Sequence, residues 1–341
     1  MKIAIIRDAF LPEVSMVFLR EIKRHFPLAE EIHFPIDLEE SAKTQLGAIK
    51  QKIYGVVLRS DFLARKIIPH LVEKIDFGNF DIVFSFSNGF AHGIISPSST
   101  IHVNFTSSRN FQKLNSGIFT DVKFRQWDFF AAQRADFHIA DCVFTQSEIK
   151  KVYKRDSILI YPKQETIEKI AVSNGADFFL TISDDQANYD GLRKTIEIFN
   201  KTARRLVVFT DWRQKKNLEL ICGETIDLVD DFTQEMFYEF LANCRAFLLP
   251  DDFDFLLAAR AAAYGKPLVA HDQGAAAEFV ISNVNGELFF EKSMREIENA
   301  IGRLLAKKNV YSSAKIESYA QEFLKKNAVK PLAKFLKSLE K

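Results

Sequence analysis

Apolar residues return along this chain in two rhythms. Short continuous runs, KIAII (2–6), FDIVFSFS (80–87) and TIHVNFT (100–106), read as strands buried on both faces. Longer segments repeat every three to four residues, as Val17, Leu19 or Arg20, Ile22 and Phe26 do in MVFLREIKRHF (16–26), the spacing of a helix with one buried face. EIHFPI (31–36) predicts another strand, 39–77 helices with basic faces, and 122–135 a helix. DFHIADCVFTQS (136–147) predicts a strand closed by a Ser-x-x-Lys helix start, and SILIYPK (157–163) ends the series. After a polar stretch, 164–177, the alternation begins again: FFLTIS (178–183), helix 190–203, RLVVFT (205–210), helix 213–221, IDLVD (226–230), helix 233–243, AFLLP (246–250), helix 256–264 and PLVA (267–270).

Strands separated by helices throughout predict parallel, doubly wound sheets, and 341 residues suit two of them. The predicted domains are 1–165 and 166–312. The amphipathic, Lys-rich tail, 313–341, is expected to form helices that pack back toward the first domain. Ligands of such sheets bind at the carboxyl ends of the strands, where strand order reverses.

Composition narrows the function classes. A formal charge of +1 offers no global field for nucleic acid or anionic membrane. The 33 Phe against 13 Gly and 9 Pro argue for packed elements with few long loops. Cys142, Cys222 and Cys244 are odd in number and lie in no CxxC, which speaks against a disulfide framework or a zinc site. No run approaches the ~20 apolar residues that span a bilayer, and the first residues read as a strand rather than a signal peptide. The expected location is the cytoplasm, with the inner membrane face as a peripheral alternative.

Several segments then form an ordered set. WDFFAAQRADFHIADCVFTQSEIKKVYKRDSILIYPK (127–163), FDIVFSFSNGFAHGI (80–94), the run from LLP to EFV (248–280) with YGKPLVA and GAAAE, and NVNGELFF (283–290) as a following turn resemble the family 4 glycosyltransferases, in register over nearly the whole chain. The resemblance implies an α/β chain of the GT-B class: two doubly wound Rossmann-like domains facing across a cleft, nucleotide on the second and acceptor on the first. It implies a retaining, metal-independent reaction with no cofactor beyond a nucleotide-sugar donor. The expected partners are that donor, a glycan or lipid-linked acceptor and, alternatively, a protein.

Residue by residue the resemblance is imperfect. Where the family sets an Arg and a Lys on the leaving diphosphate, this sequence has Asp185 and Asp190. A charge pair at about 4 Å is worth roughly 4 kcal/mol at an effective dielectric near 20, so reversed signs there oppose donor binding. In the family's Glu-x7-Glu pattern stand Asp252 and Arg260; a guanidinium can only donate where a carboxylate would accept ribose hydroxyls. Arg260 is expected to pair with Asp185, Asp190 or Asp252. Ser107 or Ser108 falls where the family has its catalytic histidine, and RDAFLPEVSM (7–16) lacks the expected glycine. His92, in a glycine loop, is the candidate on the acceptor side, while His102 reads as a structural histidine. An active enzyme would use Asp252 and Glu278 near the sugar, and Lys266 and Arg193 near phosphate. Tyr153 and Arg155 read as the end of a helix. Two readings stay open: a transferase of glycan or cell-envelope polysaccharide assembly with an altered phosphate site, and a pseudo-glycosyltransferase acting as a scaffold or partner-binding protein.

Overall fold

The computed structural model describes residues 1–8, 11–34, 61–108, 122–162, 177–183, 190–251, 255–307, 310–327 and 329–340. The chain divides into two compact units, Met1–Pro162 with Lys330–Lys341, and Lys163–Val329.

The first unit is built on β1 (Ile3–Asp8), α1 (Glu13–His25), β2 (Glu30–Phe34), α2 (Asp61–Val72), β3 (Ile82–Ser87), β4 (Ile101–Thr106), α3 (Val122–Ala132), β5 (Phe137–Ala140), α4 (Val143–Glu148), a π-helical turn (Ile149–Tyr153) and β6 (Ile158–Leu159). All its strand pairs are parallel, in the order β2-β1-β3-β4-β5-β6. In α1, Val14, Val17, Phe18 and Ile22 turn inward, while Glu13 opens the helix and Lys23, Arg24 and His25 close it, matching its dipole. Phenylalanine fills the interior: the Phe86 and Phe105 rings stack at 4.6 Å and Phe18 meets Phe105 at 5.4 Å.

The second unit carries β7 (Phe178–Ile182), α5 (Asp190–Asn200), β8 (Arg205–Phe209), α6 (Trp212–Leu218), β9 (Ile226–Val229), α7 (Gln234–Asn243), β10 (Ala246–Leu249), α8 (Phe255–Ala263), β11 (Leu268–His271), β12 (Gly286–Phe289) and α9 (Met294–Ala306). Its parallel order is β12-β11-β10-β7-β8-β9. Phe209 sits among Phe232, Phe237 and Phe240 at 4.7, 5.2 and 5.3 Å. Thr233 and Ser293 cap α7 and α9, accepting from Met236 N and Glu296 N. The tail gives α10 (Ser313–Asn327), whose Phe323 ring packs on Phe255 and Phe279, and α11 (Val329–Leu339). From Lys330 on, α11 belongs to the first unit, where its Phe335 meets Phe137 at 5.5 Å.

Two expectations are corrected. The segment 136–147 is not one strand: β5 stops at Ala140 and a helix starts at Val143, ahead of Ser147, with Asp141 accepting from Thr145 Oγ1 at 2.5 Å. The stretch read as a turn, 283–290, contains β12, which pairs with β11. Gly286 permits that pairing, because a Cβ there would lie 2.3 Å from Leu268 O. Of the helices expected over 39–77, α2 is described; residues 35–60 lie outside the described set.

Candidate functional site

In each sheet one pair of neighbouring strands marks the reversal of order, β1 with β3 and β7 with β10. Loops diverge there and leave a crevice where ligand phosphates commonly meet backbone N–H groups. In both units those N–H groups are taken by a carboxylate of the chain itself.

In the second unit the carboxylate is Asp251, two residues past β10. It is 4% exposed and accepts from Gly191 N at 3.0 Å and Leu192 N at 2.9 Å, the first amides of α5. Gly191 is required for this approach: a Cβ there would stand 2.1 Å from Pro250 O and 2.7 Å from Asp251 Oδ1. Lys292 Nζ lies 3.7 Å from the same carboxylate. In the first unit Asp8, 6% exposed at the end of β1, accepts from Asn88 N (2.6 Å), Phe90 N (3.1 Å) and Ala91 N (2.9 Å). The loop after β3 is thereby wrapped around an internal anion, with Gly89 at φ 135°. Both carboxylates meet amides far away in sequence, so no local motif announces them.

Around the second crevice the charge is negative. Asp211, Asp230, Asp251 and Asp272 each follow the end of a strand, β8 to β11, by one or two residues. Most have a local partner: Asp211 Oδ1 accepts from Gln214 N at 3.0 Å, Asp230 pairs with Lys215 at 2.7 Å, and Asp272 Oδ1 is 3.7 Å from His271 Nε2. Asp190 opens α5 and pairs with Lys194 at 2.5 Å.

The other predicted donor residues stand on different elements. Arg193 is exposed on α5. Arg260 is 7% exposed on α8, its guanidinium 5.6 Å from the centre of the Tyr238 ring on α7. Glu278 is half-buried in a 3₁₀ turn, Ala277–Phe279, after β11. Lys266 lies at the opposite edge of the sheet. Gly265, at φ 70°, ends α8 with bonds from Gly265 N to Ala262 O and from Lys266 N to Ala261 O, so Lys266 precedes β11 instead of following it. A four-residue strand, about 13 Å long, separates that edge from the crevice. Burial lowers the Lys266 pKa, opposed by Cys244 and Glu317. Asp185 and Asp252 lie outside the described residues.

His92 occupies a 3₁₀ turn, Ala91–Gly93, with 0% exposure. Its Nδ1 is 2.7 Å from Ser87 Oγ and its Nε2 3.1 Å from Asp128 Oδ1, the latter off the axis of a hydrogen bond. Tyr153 Oη also donates to Asp128, at 3.2 Å. A serine, a histidine and an aspartate stand in a row, but the row is sealed. Arg134 donates to Gly93 O at 2.7 Å, and a Cβ on Gly93 would strike Trp127 at 2.3 Å. Ser107, 2% exposed past β4, has no hydrogen-bond partner for its Oγ among the described residues.

Beneath this edge runs a buried polar ladder. Ser85 Oγ donates to Asn104 Oδ1 (3.2 Å), so its 2.7 Å contact with His102 Nε2 is a bond from the ring. Asn104 Nδ2 reaches His138 Nδ1 at 3.3 Å, and His138 Nε2 donates to Ala132 O at 2.8 Å. Burial, reinforced by neighbouring cations, lowers His102 to about 3 and His138 to about 4, so both rings are neutral at pH 7. Among the described residues no group of three or more His, Cys, Asp or Glu is placed to hold a metal ion, and no helix is long and apolar enough to cross a membrane.

Two Rossmann-like sheets in one chain, each with its ligand edge marked by the strand reversal, define an α/β protein of the GT-B fold. Solved structures agree. HepE from Anabaena, determined in complex with UDP, is 15% identical with a TM-score of 0.67, covering 100% of both chains. A sucrose-phosphate synthase from Thermosynechococcus elongatus is 14% identical with a TM-score of 0.70, covering 100% of this chain and 98% of that one. WaaG, a glycosyltransferase involved in lipopolysaccharide biosynthesis, is 14% identical with a TM-score of 0.59, covering 94% and 95%. No protein-family profile and no curated protein matches the sequence.

Proposed function

We propose that the chain is a family 4 glycosyltransferase homologue of glycan or cell-envelope polysaccharide assembly that keeps the GT-B scaffold without transferring sugar from a nucleotide, and that it binds a protein or glycan partner. The reading places it in the cytoplasm or at the inner membrane face. One observation carries it: Asp251 takes the α5 amides at the strand reversal. A diphosphate seated there must displace a buried carboxylate and then face Asp190 and the aspartates that follow β8 and β11. At an effective dielectric near 20, each like-charge contact at about 4 Å costs roughly 4 kcal/mol before relaxation.

A second reading has one observation of its own. Lys292 Nζ already stands beside Asp251, and Lys194 Nζ donates to Lys292 O, so two lysines border the same amides. A retaining, metal-independent transferase would use them on a diphosphate that had displaced Asp251.

Thermal unfolding with UDP, GDP and ADP separates the two. A nucleotide at a hundred times its Kd stabilises by about 2.7 kcal/mol. The expected result is no shift for the wild type and a new shift for Asp251→Ala. Release of sugar from a nucleotide sugar by the wild type would overturn the proposal in favour of the second reading.

A further inference from the structure

The end of the π-helical turn in the first unit carries a second feature, remote from the strand reversal. There the chain turns from Tyr153 toward β6 beside an open, solvent-facing cavity of about 710 Å³ whose lining includes Lys150, Lys151, Lys154, Arg155, Ser147 and Ser157. Four cations against one lining carboxylate, Asp156, leave the walls at a net +3. The cavity belongs to the amino edge of the sheet, because residues 154–157 precede β6.

Its charges are differently engaged. Lys154 stands in the left-handed region at φ 58°, and its side chain makes no hydrogen bond or ion pair with the described residues. Lys150 pairs with Asp156 at 2.7 Å, yet their side chains are 62% and 93% exposed, so solvent screens the pair. Lys151 is held to Glu148 at 3.3 Å. Arg155 spends one N–H on Ala135 O at 2.7 Å, which orients the guanidinium and leaves its other donors. Gln146 Nε2 fixes the Ser157 backbone by donating to its carbonyl at 2.9 Å. Ser157 Oγ is buried and has no hydrogen-bond partner among the described residues.

We propose that this cavity binds a phosphate group, through Lys150, Lys154, Arg155 and the Ser157 hydroxyl, with Asp156 as the weak internal competitor it displaces. A dianion suits the net charge, and a guanidinium with ammonium groups suits its oxygens. The ligand is a phosphate ester, free in solution or displayed as a lipid headgroup. The inference is independent of whether the second unit binds nucleotides.

Calorimetric titration of the full chain with inorganic phosphate, at constant ionic strength and pH 7.5, tests it. Saturable binding is expected. Lys154→Asn keeps a residue that tolerates left-handed backbone and should weaken binding roughly tenfold, the effect of one charge-assisted hydrogen bond. Asp156→Asn should tighten it. Sedimentation with phosphatidylcholine vesicles containing phosphatidic acid, reduced by Lys154→Asn, would assign the headgroup source. Phosphate binding without such sedimentation would assign a soluble ester. No saturation, or equal affinity of wild type and Lys154→Asn, would overturn the proposal.

Discussion

The two sheets solve the strand-reversal crevice in one way and store their polarity in opposite ways. Both fill it with a carboxylate, Asp8 in the first unit and Asp251 in the second. The first unit then continues its polar groups inward: Ser85, His102, Asn104 and His138 form a ladder inside the sheet, with Ser87, His92 and Asp128 beside it. The second lines its rim with aspartates after successive strands, and the carboxylate it buries inside the sheet, Glu287, is neutralised by Arg303 and Lys307 and bonded to Tyr311. Six of the seven histidines fall before Pro162. Polar groups in a rim are hydrated and cost little to charge, whereas polar groups inside a sheet are tied to one protonation state.

That difference makes acid the strongest way to separate the units. His102 and His138 titrate near 3 and near 4 in the folded chain, below the ordinary 6.5, so the unfolded chain takes up their protons first. Stability is therefore full above pH ~6.5 and falls as pH drops toward 4, by about 1.4 kcal/mol per pH unit for each histidine. Between pH 6.5 and pH 5 the first unit should lose roughly 3 kcal/mol. The two tryptophans, Trp127 and Trp212, lie one in each unit and report on them separately. In Trp212→Phe the remaining fluorescence follows the first unit; in Trp127→Phe it follows the second. Denaturant midpoints that fall equally in both would refute the contrast.

The paired carboxylates give the next effect. Asp8→Ala strands three backbone N–H groups, and Asp251→Ala strands two. At ~1–3 kcal/mol for each buried donor, less what water recovers, the losses should be roughly 3 and roughly 2 kcal/mol, each in its own unit. The stability of Asp251→Ala should also recover with added phosphate, which can occupy the α5 amides, whereas Asp8→Ala should respond less. Equal rescue of both variants would mean that the crevices differ only in depth.

The fold was legible because continuous apolar runs alternating with helical periodicity leave few architectures, and among the described residues the element types differ from the sequence reading only at 136–147 and 283–290. β12 was missed because a glycine-bearing stretch, NVNGELFF, looks like punctuation until its backbone is seen against Leu268. The site was less legible, and the reason is sequence separation. Asp8 acts on residues 80 positions away and beyond, and Asp251 on residues 59 and 60 away, so neither carries a spacing signature. One signal did lie in the sequence: an aspartate just after each of β8 to β11. Lys266 shows the opposite hazard. Its GKP setting suggested phosphate chemistry, while Gly265 and Lys266 are the closing residues of a helix at the far edge.

The smallest effect concerns Arg260, whose role decides how the acidic rim is balanced. If it offsets the rim through long-range attraction to Asp190 or its neighbours, removing its charge should matter most at low salt and be indifferent to Tyr238. If the 5.6 Å stack on Tyr238 is its principal contact, the two residues should be coupled at any ionic strength, because a partly desolvated pair is poorly screened. A double-mutant cycle with Arg260→Met and Tyr238→Leu distinguishes these. A cation over a partly buried ring is worth about 1 kcal/mol, so a coupling near that size, unchanged between low and high salt, is the expected result. Zero coupling, with an Arg260→Met loss that shrinks as salt is added, would return Arg260 to the rim. The second unit would then be balanced electrostatically, while the first is held by hydrogen bonds.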